Sequence, residues 1–467
     1  MRSCAQIGPP RRGGIEVRGA ASAWRAGLRS PCKLLALVLL LVPAAASGRD
    51  FDASPQDYLE LLRQLRPGDR LLLRAGQYAS GLPLHNINGA SGVPIVVAGP
   101  VERPAAAFLA RAGANTVSIL NTSYVELRNL ELAGGGLKAD AVKAERSSRP
   151  SHHILLQNLL IHGHGSDQTL VGISTKCPAW GWVIRGNTII GAGTGLYLGD
   201  SDGSAPFVAG LIEHNLVIDS LGYNLQIKHQ SPRPRLPGEP ASPRATVIRH
   251  NVFSKTSAAI AFRMARPSVL VGDILGAEAG ADGYIVYGNV FLENPSEALF
   301  QGEGNVALYD NVFVNTRGDA VVIQPHHGIP RRVSVFHNTV LASGNGIALH
   351  GGRSEYAQSI FSNAVFAKDG AVGGSQADNV VRPLGSAPAY LMDPLLEPGR
   401  LDLDVAPQSG KLWGSPRLDH PERIFPDAEA DFEGVQRQGE RAGAYYTDGP
   451  AHWRPQLAIK PFPRIPE

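Results

Sequence analysis

Residues 247–252 read Val-Ile-Arg-His-Asn-Val, a short β-rich run that reaches an asparagine and continues into further apolar residues. The same phrase recurs through residues 115–370. Its asparagines are Asn129, Asn158, Asn187, Asn215, Asn251, Asn289, Asn311, Asn338 and Asn363. Consecutive members lie 22 to 38 residues apart, and self-similarity at such a period indicates a solenoid of stacked repeats.

The strands within each repeat predict the kind of solenoid. Each unit contains short runs of Val, Ile and Leu in which apolar and polar positions alternate, and this pattern places one strand face in the core. The units lack the long amphipathic pattern of helical repeat arrays. Asparagine suits a tight corner because it tolerates left-handed backbone angles and can hydrogen-bond to the asparagine of the next coil. The sequence therefore predicts an all-β fold, a single-stranded right-handed parallel β-helix.

Composition and charge exclude several classes of protein. The chain is 43 % hydrophobic and 18 % charged, which is too apolar for a disordered protein. Its net charge is +3, but residues 1–48 contain seven basic residues and one acid, a balance of +6 that leaves −3 for the remainder. A nucleic-acid-binding protein needs a basic surface to neutralise phosphates, so we expect no nucleic-acid partner.

The first 48 residues predict export and set the domain organisation. Lys33 precedes the apolar run 34–42 and the small residues 43–48, the pattern of a secretory signal peptide. The apolar run is shorter than the ~20 residues of a membrane-spanning helix. We predict a cleaved signal peptide at 1–48, a β-helix at 49–375 and a loop-rich C-terminal extension at 376–467 packed on the helix. The mature protein is then secreted or periplasmic, monomeric, and without membrane contact.

Cys177 is the only cysteine after residue 48, so the mature chain has no intramolecular disulfide. A free cysteine is most often a small apolar core residue. We therefore expect Cys177 to be buried.

Two cations are predicted to share one outer wall of the solenoid. Lys228 lies 13 residues after Asn215, and Arg263 lies 12 residues after Asn251. Both are expected to point outward, which would place them in one column on neighbouring coils. The Pro-rich segment 231–244 and the segment 264–283 interrupt the repeat, and we expect them to form long loops that wall a groove beside this column.

The repeated phrase resembles that of right-handed parallel β-helix proteins of the pectate-lyase superfamily. Tyr58, Leu61, Leu62 and Leu65, followed by the β-rich run 67–73, resemble the capping helix and first coil of the chondroitinase-B and alginate-lyase branch. In that branch a Lys and an Arg on neighbouring coils act as base and acid in the β-elimination of uronates. The resemblance implies that Lys228 is the base and that Arg263 is the acid or carboxylate clamp.

Outward side chains near the two cations are candidates for substrate binding. They are Tyr197, Asn224, Gln226, His229, Arg249, Gln324 and His350. Cations with aromatic and amide neighbours suit an acidic sugar, because a uronate offers a carboxylate to the cations and a ring face to Tyr197.

A calcium ion is implied by the same resemblance, since members of that branch hold Ca²⁺ with acidic residues just before the Lys. Residues 222–227 contain no carboxylate. Asp200 and Asp202 could supply oxygen ligands to Ca²⁺, or they could form an ordinary solvated turn. Without a metal, Asn224, His229 or Arg249 would neutralise the substrate carboxylate.

The leading functional hypothesis is an exported lyase that cleaves an acidic polysaccharide by β-elimination. A uronate C5-epimerase would share the proton abstraction but needs a proton donor on the opposite face of the sugar. A non-catalytic carbohydrate-binding or surface β-helix protein is the alternative outside enzymes.

Overall fold

The computed structural model describes residues 48–256, 265–275, 282–406, 410, 412–414, 424–439, 441–446 and 453–462. The predicted signal peptide falls almost entirely outside these residues and stays a prediction. Within the described part of the chain, no helix is both long and apolar enough to cross a bilayer.

Successive coils of the chain stack their strands into three parallel sheets, which we number 1 to 3 in the order in which each coil meets them. Sheet 1 comprises Asp50–Ala53, Arg70–Leu73, Ile95–Ala98, Ser123–Arg128, Ser151–Gln157, Val183–Arg185, Leu211–Glu213, Thr246–Arg249, Tyr284–Tyr287, Gly304–Tyr309, Pro330–Phe336, Gln358–Phe361 and Ser375–Ala377. Sheet 2 comprises Gly76–Tyr78, Ala106–Leu109, Leu130–Ala133, Leu160–His162, Thr188–Ile190, Leu216–Ile218, Val252–Ser254, Val290–Leu292, Val312–Asn315 and Val380–Arg382. Sheet 3 comprises Leu82–His85, Val117–Leu120, Val142–Ala144, Val171–Thr175, Thr194–Leu198, Leu225–Ile227, Val269–Val271, Phe300–Gly302 and Val321–Ile323.

A few elements lie outside this simple scheme. The long strands Thr339–Leu349 and Ala364–Val372 each run through both sheet 2 and sheet 3. The short strands Ala179–Trp180 and Phe207–Val208 pair beside sheet 1. The remaining elements are the helix Tyr58–Leu62, the 3₁₀ helix Leu384–Ala389 and the antiparallel pair Leu391–Asp393 and Asp402–Val405. The predicted right-handed parallel β-helix is confirmed.

The core consists of the inward-facing residues of all three sheets. Phe253, Phe291 and Phe313 are buried on consecutive coils, and the rings of Phe291 and Phe313 stack at 4.5 Å. Tyr58 of the N-terminal helix packs against the first coils. Cys177 is buried in this core, as predicted.

The asparagine ladder is present, but its register differs from the sequence prediction in the first coils. From Asn187 to Asn379 each buried amide Nδ2 donates to the Oδ1 of the next asparagine at 2.9–3.0 Å. Asn158 lies level with Gly186 instead, one residue before the ladder position. Asn129 and Asn158 therefore occupy the corner position with left-handed φ, where later coils have residues such as Gly186 and His250.

The C-terminal segment covers the outer face of sheet 2. Val252, Val290 and Val312 point outward there, and they pack in one buried cluster with Leu403 and Phe432. Sheet 3 carries no such cluster, within the described ranges, and its outer surface includes the predicted site residues Tyr197, Lys228 and Gln324.

Candidate functional site

Lys228 directly follows the strand Leu225–Ile227 of sheet 3. This strand pairs with Val269–Val271, so the residue level with Lys228 in the next coil is Gly272. In the preceding coil the level residue is Gly199, where a β-carbon would lie 3.3 Å from the Lys228 Cβ. The Lys228 side chain therefore stands between two positions that have no side chain.

The predicted register of Lys228 and Arg263 is wrong. It assumed that residues 259–263 supply the next strand of the column, whereas the pairing strand is Val269–Val271, inside a segment predicted to be a loop. A column is set by strand pairing, and a count of residues from the asparagine fails when the connection between sheets lengthens. Arg263 itself lies outside the described residues, so its role stays a prediction.

The column that contains Lys228 continues along sheet 3 in both directions. Lys176 stands two coils before it and Glu303 two coils after it, and Gln324 and His350 follow on the next coils. Coils are spaced by about 4.8 Å, so two coils correspond to roughly 10 Å along the wall. We call the outer surface of sheet 3 from Lys176 to His350 the sheet 3 wall.

Lys228 is half-buried and forms no ion pair with a described residue. Burial lowers the pKa of its ammonium, and the carboxylate of Glu303 opposes that shift. A lysine with a lowered pKa is neutral more often near neutral pH, which is the state that a general base requires.

Glu303 organises a turn beside Lys228. One oxygen of its buried carboxylate accepts the backbone N–H groups of His326, His327 and Gly328 at 2.8–2.9 Å, and the other accepts the N–H of Asp273 at 3.1 Å. Three of these bonds fill one oxygen and the fourth occupies the other, so most of the acceptor capacity of the carboxylate is used within the protein. Glu303 is therefore a structural anchor for the turn.

The same turn places His327 on His229. The two rings stack with centroids 3.8 Å apart, and the buried Nδ1 of His229 has no partner among the described residues. Burial lowers the pKa of both imidazoles. His327 and Lys228 lower the pKa of His229 further, and His326 and Lys228 lower that of His327, while Glu303 opposes both shifts. His229 was predicted at the site, whereas His326 and His327 were not among the predicted site residues.

Lys176 and Tyr197 form a unit at the other end of the wall. The Lys176 Nζ lies 3.6 Å from the centroid of the Tyr197 ring, and burial lowers the pKa of Lys176 to about 8. Tyr197 points outward as predicted, but the cation already covers one of its ring faces. A sugar could stack only on the opposite face.

Asp200 and Asp202 do not fit the predicted calcium site. Asp200 is buried, and its carboxylate accepts from Arg146 at 2.5 and 2.9 Å, with Lys176 at 4.0 Å. Asp202 is exposed and binds the N–H and hydroxyl of Ser204. A carboxylate that faces two cations is a poor ligand for a third. No group of three or more metal-ligating side chains occurs in the described ranges.

We expect added Ca²⁺ to leave the unfolding temperature of the protein unchanged. Asp200→Asn should lower the unfolding free energy by about 1–2 kcal/mol, because Arg146 loses its ion-pair partner. Thermal unfolding with and without Ca²⁺ or a chelator measures both effects. Asp202→Asn, an exposed carboxylate in the same turn, serves as the control. A calcium-dependent stabilisation that Asp202→Asn removes would contradict this view and restore the metal site.

A cavity of about 450 Å³ opens on the wall next to Lys228. Leu270, Gln301 and Gln324 of sheet 3 form its floor, and Tyr223, Arg266, Glu297, Glu303 and His326 are among the residues that surround it. The guanidinium of Arg266 lies 5.9 Å from the Tyr223 ring and forms no ion pair with a described residue. Gln324, a predicted substrate-binding residue, lines this cavity, and Arg266, which also lines it, was not predicted.

Three of the predicted substrate-binding residues lie elsewhere or are covered. Asn224 is fully buried, and its Nδ2 donates to backbone carbonyls of the corner, including Val217 O at 3.0 Å. Arg249 lies on sheet 1, where it pairs with Glu213 at 2.7 Å. Gln226 points outward between Tyr197 and Leu270 but is only 4 % exposed. His350 is exposed at the far end of the wall.

The comparisons with known proteins agree on the architecture. Residues 171–366 match the family model described as right handed beta helix region. The chain is similar to pectate lyase Pel9A, with a TM-score of 0.47 and 11 % identity over 86 % of this chain and 97 % of that one. It is also similar to the PL6 family polysaccharide lyase Pedsa3628 from Pseudopedobacter saltans, with a TM-score of 0.44 and 11 % identity over 78 % and 98 %.

A third similar structure is the GH136 lacto-N-biosidase from Eubacterium ramulus, with a TM-score of 0.47 and 11 % identity over 72 % of this chain. This chain spans 65 % of that enzyme's length. A search of curated proteins finds no sequence match. The family-model match and the strand pairing described above define a right-handed parallel β-helix protein.

Proposed function

We propose that this chain is an exported protein that cleaves an anionic, uronate-containing polysaccharide by β-elimination on the sheet 3 wall. The observation that carries the proposal is the state of Lys228, a half-buried lysine without an ion-pair partner in the part of the chain that the structure describes, which stands between Gly199 and Gly272. Because both neighbouring positions are glycines, no side chain from either position covers the amine.

The chemistry requires a base, a means of neutralising the carboxylate and a proton donor. The neutral amine of Lys228 takes the C5 proton of the uronate, and the electrons of that bond form the C4=C5 double bond. The C4–O bond breaks, and the leaving sugar oxygen receives a proton. Arg263 keeps its proposed role as the proton donor or carboxylate clamp.

An elimination assay tests the proposal directly. The protein is incubated with alginate, pectate and glycosaminoglycans, and the unsaturated uronate is followed by its ultraviolet absorbance. Cleavage of one of these polymers is the expected result. Solvent deuterium incorporated at C5 without a double bond would identify an epimerase instead, and retained binding without either reaction would identify a carbohydrate-binding protein.

The pH profile of cleavage follows from the environment of Lys228. The base must be unprotonated, and burial lowers its pKa below the ordinary 10.5, so kcat/KM should rise with pH and reach its plateau below pH 10.5. The measurement is kcat/KM against pH on the best substrate. A rate that does not rise with pH on the acid side would contradict a lysine base.

A further inference from the structure

The cavity beside Lys228 presents a second cation to the wall. Arg266 lies on its rim, exposed and without an ion-pair partner among the described residues, in contrast to nearby Arg146 and Arg331, which are both neutralised by buried aspartates. A guanidinium offers several donors in a planar fork that matches a carboxylate. We propose that this cavity binds the carboxylate of a second uronate unit through Arg266, an inference that rests on the proposed function.

The backbone of Arg266 is held by two buried side chains. The Lys255 Nζ and the Asn294 Nδ2 each donate to the Arg266 carbonyl at 2.8 Å. Lys255 and Asn294 are both fully buried. Burying a lysine costs free energy unless its ammonium donates hydrogen bonds. Lys255 makes such a bond to Arg266, so these contacts hold the Arg266 backbone in place. The backbone from which the Arg266 side chain extends is therefore fixed, and the guanidinium itself donates to the carbonyl of Ala265 at 2.6 Å.

The charges around the cavity favour an anionic guest. Glu297 is an acid on its wall, and it accepts a hydrogen bond from Gln301 at 3.3 Å. Burial lowers the pKa of Lys255 to about 7 and the charge of Glu297 opposes that shift, so Lys255 offsets Glu297 in its protonated form. Glu303 is satisfied by backbone N–H groups. Arg266 thus lines the cavity as a cation that has no ion-pair partner among the residues described.

The remaining lining suits a sugar ring. Tyr223 offers an aromatic surface, and Gln301 and Gln324 offer amides for hydroxyl groups. Leu270 forms the apolar floor one coil beyond Gln226. Glu303 lines the cavity and lies in the column of Lys228, two coils further along, so a chain with one uronate beside Lys228 can extend toward the cavity.

Binding of a uronate oligosaccharide tests this inference apart from catalysis. In a Lys228→Met background, which cannot supply the proposed base, calorimetry compares the charged oligosaccharide with its carboxyl-reduced form. Arg266→Gln should weaken the charged ligand by about 10- to 100-fold and leave the reduced ligand unchanged. Arg266→Lys keeps the positive charge but loses the planar fork of donors. Its affinity for the charged oligosaccharide should lie between those of the arginine protein and Arg266→Gln. Arg332→Gln, an exposed arginine on sheet 1, is the matched control and should have no effect.

The outcomes separate this inference from the proposed function. Unchanged affinity in Arg266→Gln, or an equal loss for both ligands, would overturn the subsite even if the wild-type protein eliminates. If Arg266→Gln loses affinity for the charged oligosaccharide alone and the wild-type protein shows no elimination, the subsite is upheld and the proposed lyase activity is refuted. Arg266 is exposed, so its variants should fold, and thermal unfolding verifies this.

Discussion

Lys228→Met is expected to reduce the elimination rate by about 10²- to 10⁴-fold, the range over which a general base contributes. Methionine has a similar length and keeps the apolar part of the side chain between Gly199 and Gly272, so packing changes little. What disappears is the amine that takes the C5 proton. The effect should appear in kcat, because the base acts in the transition state.

Lys143→Met is the matched control for this variant. Lys143 also points outward from sheet 3, three coils before Lys228, but it pairs with Asp140 at 3.0 Å and lies outside the proposed site. Its replacement should leave the rate within a few-fold of wild type. A Lys228→Met protein that cleaves at the wild-type rate would remove Lys228 from the mechanism and leave the fold assignment intact.

Asn251→Ala should lower the unfolding free energy by about 3–5 kcal/mol. The Asn251 Nδ2 donates to Ile212 O and Asn289 Oδ1 at 2.9 Å, and its Oδ1 accepts from the backbone N–H and the Nδ2 of Asn215. Alanine would leave these partners unsatisfied in a corner from which water is excluded. Denaturant unfolding, in which the midpoint shifts at constant slope, measures the loss.

Asn158→Gly provides the comparison for the ladder. Asn158 is exposed and forms a single side-chain bond to Asn129 at 3.2 Å, and its left-handed backbone is one that glycine adopts without strain. Its replacement should cost well under 1 kcal/mol, since one exposed hydrogen bond is lost. Similar losses for Asn251→Ala and Asn158→Gly would show that the buried ladder is not a principal source of stability.

The features that could be predicted from the sequence are those that depend on contacts repeated in every coil. The recurring phrase indicated the parallel β-helix, the asparagine ladder from Asn187 onward and the burial of Cys177, because each depends on contacts that recur in every coil. Alternation within a strand also placed Tyr197 and Gln226 on the outside of sheet 3. These predictions need only the local period of two and the pairing of a coil with its neighbour.

The composition of the site was decided by the connections between strands. The longer connection after Ser254 moves the next sheet 3 strand to Val269–Val271, which sets Gly272 beside Lys228. The stack of His229 on His327 joins residues almost a hundred positions apart through a turn that Glu303 holds. The winding and the ladder depend on contacts that recur in every coil, and the sequence by itself determined them. Connection length and turn geometry vary from coil to coil and do not follow from the repeat. Only the folded chain decided which side chains share the wall, because strand hydrogen bonds, not distance along the sequence, set their register.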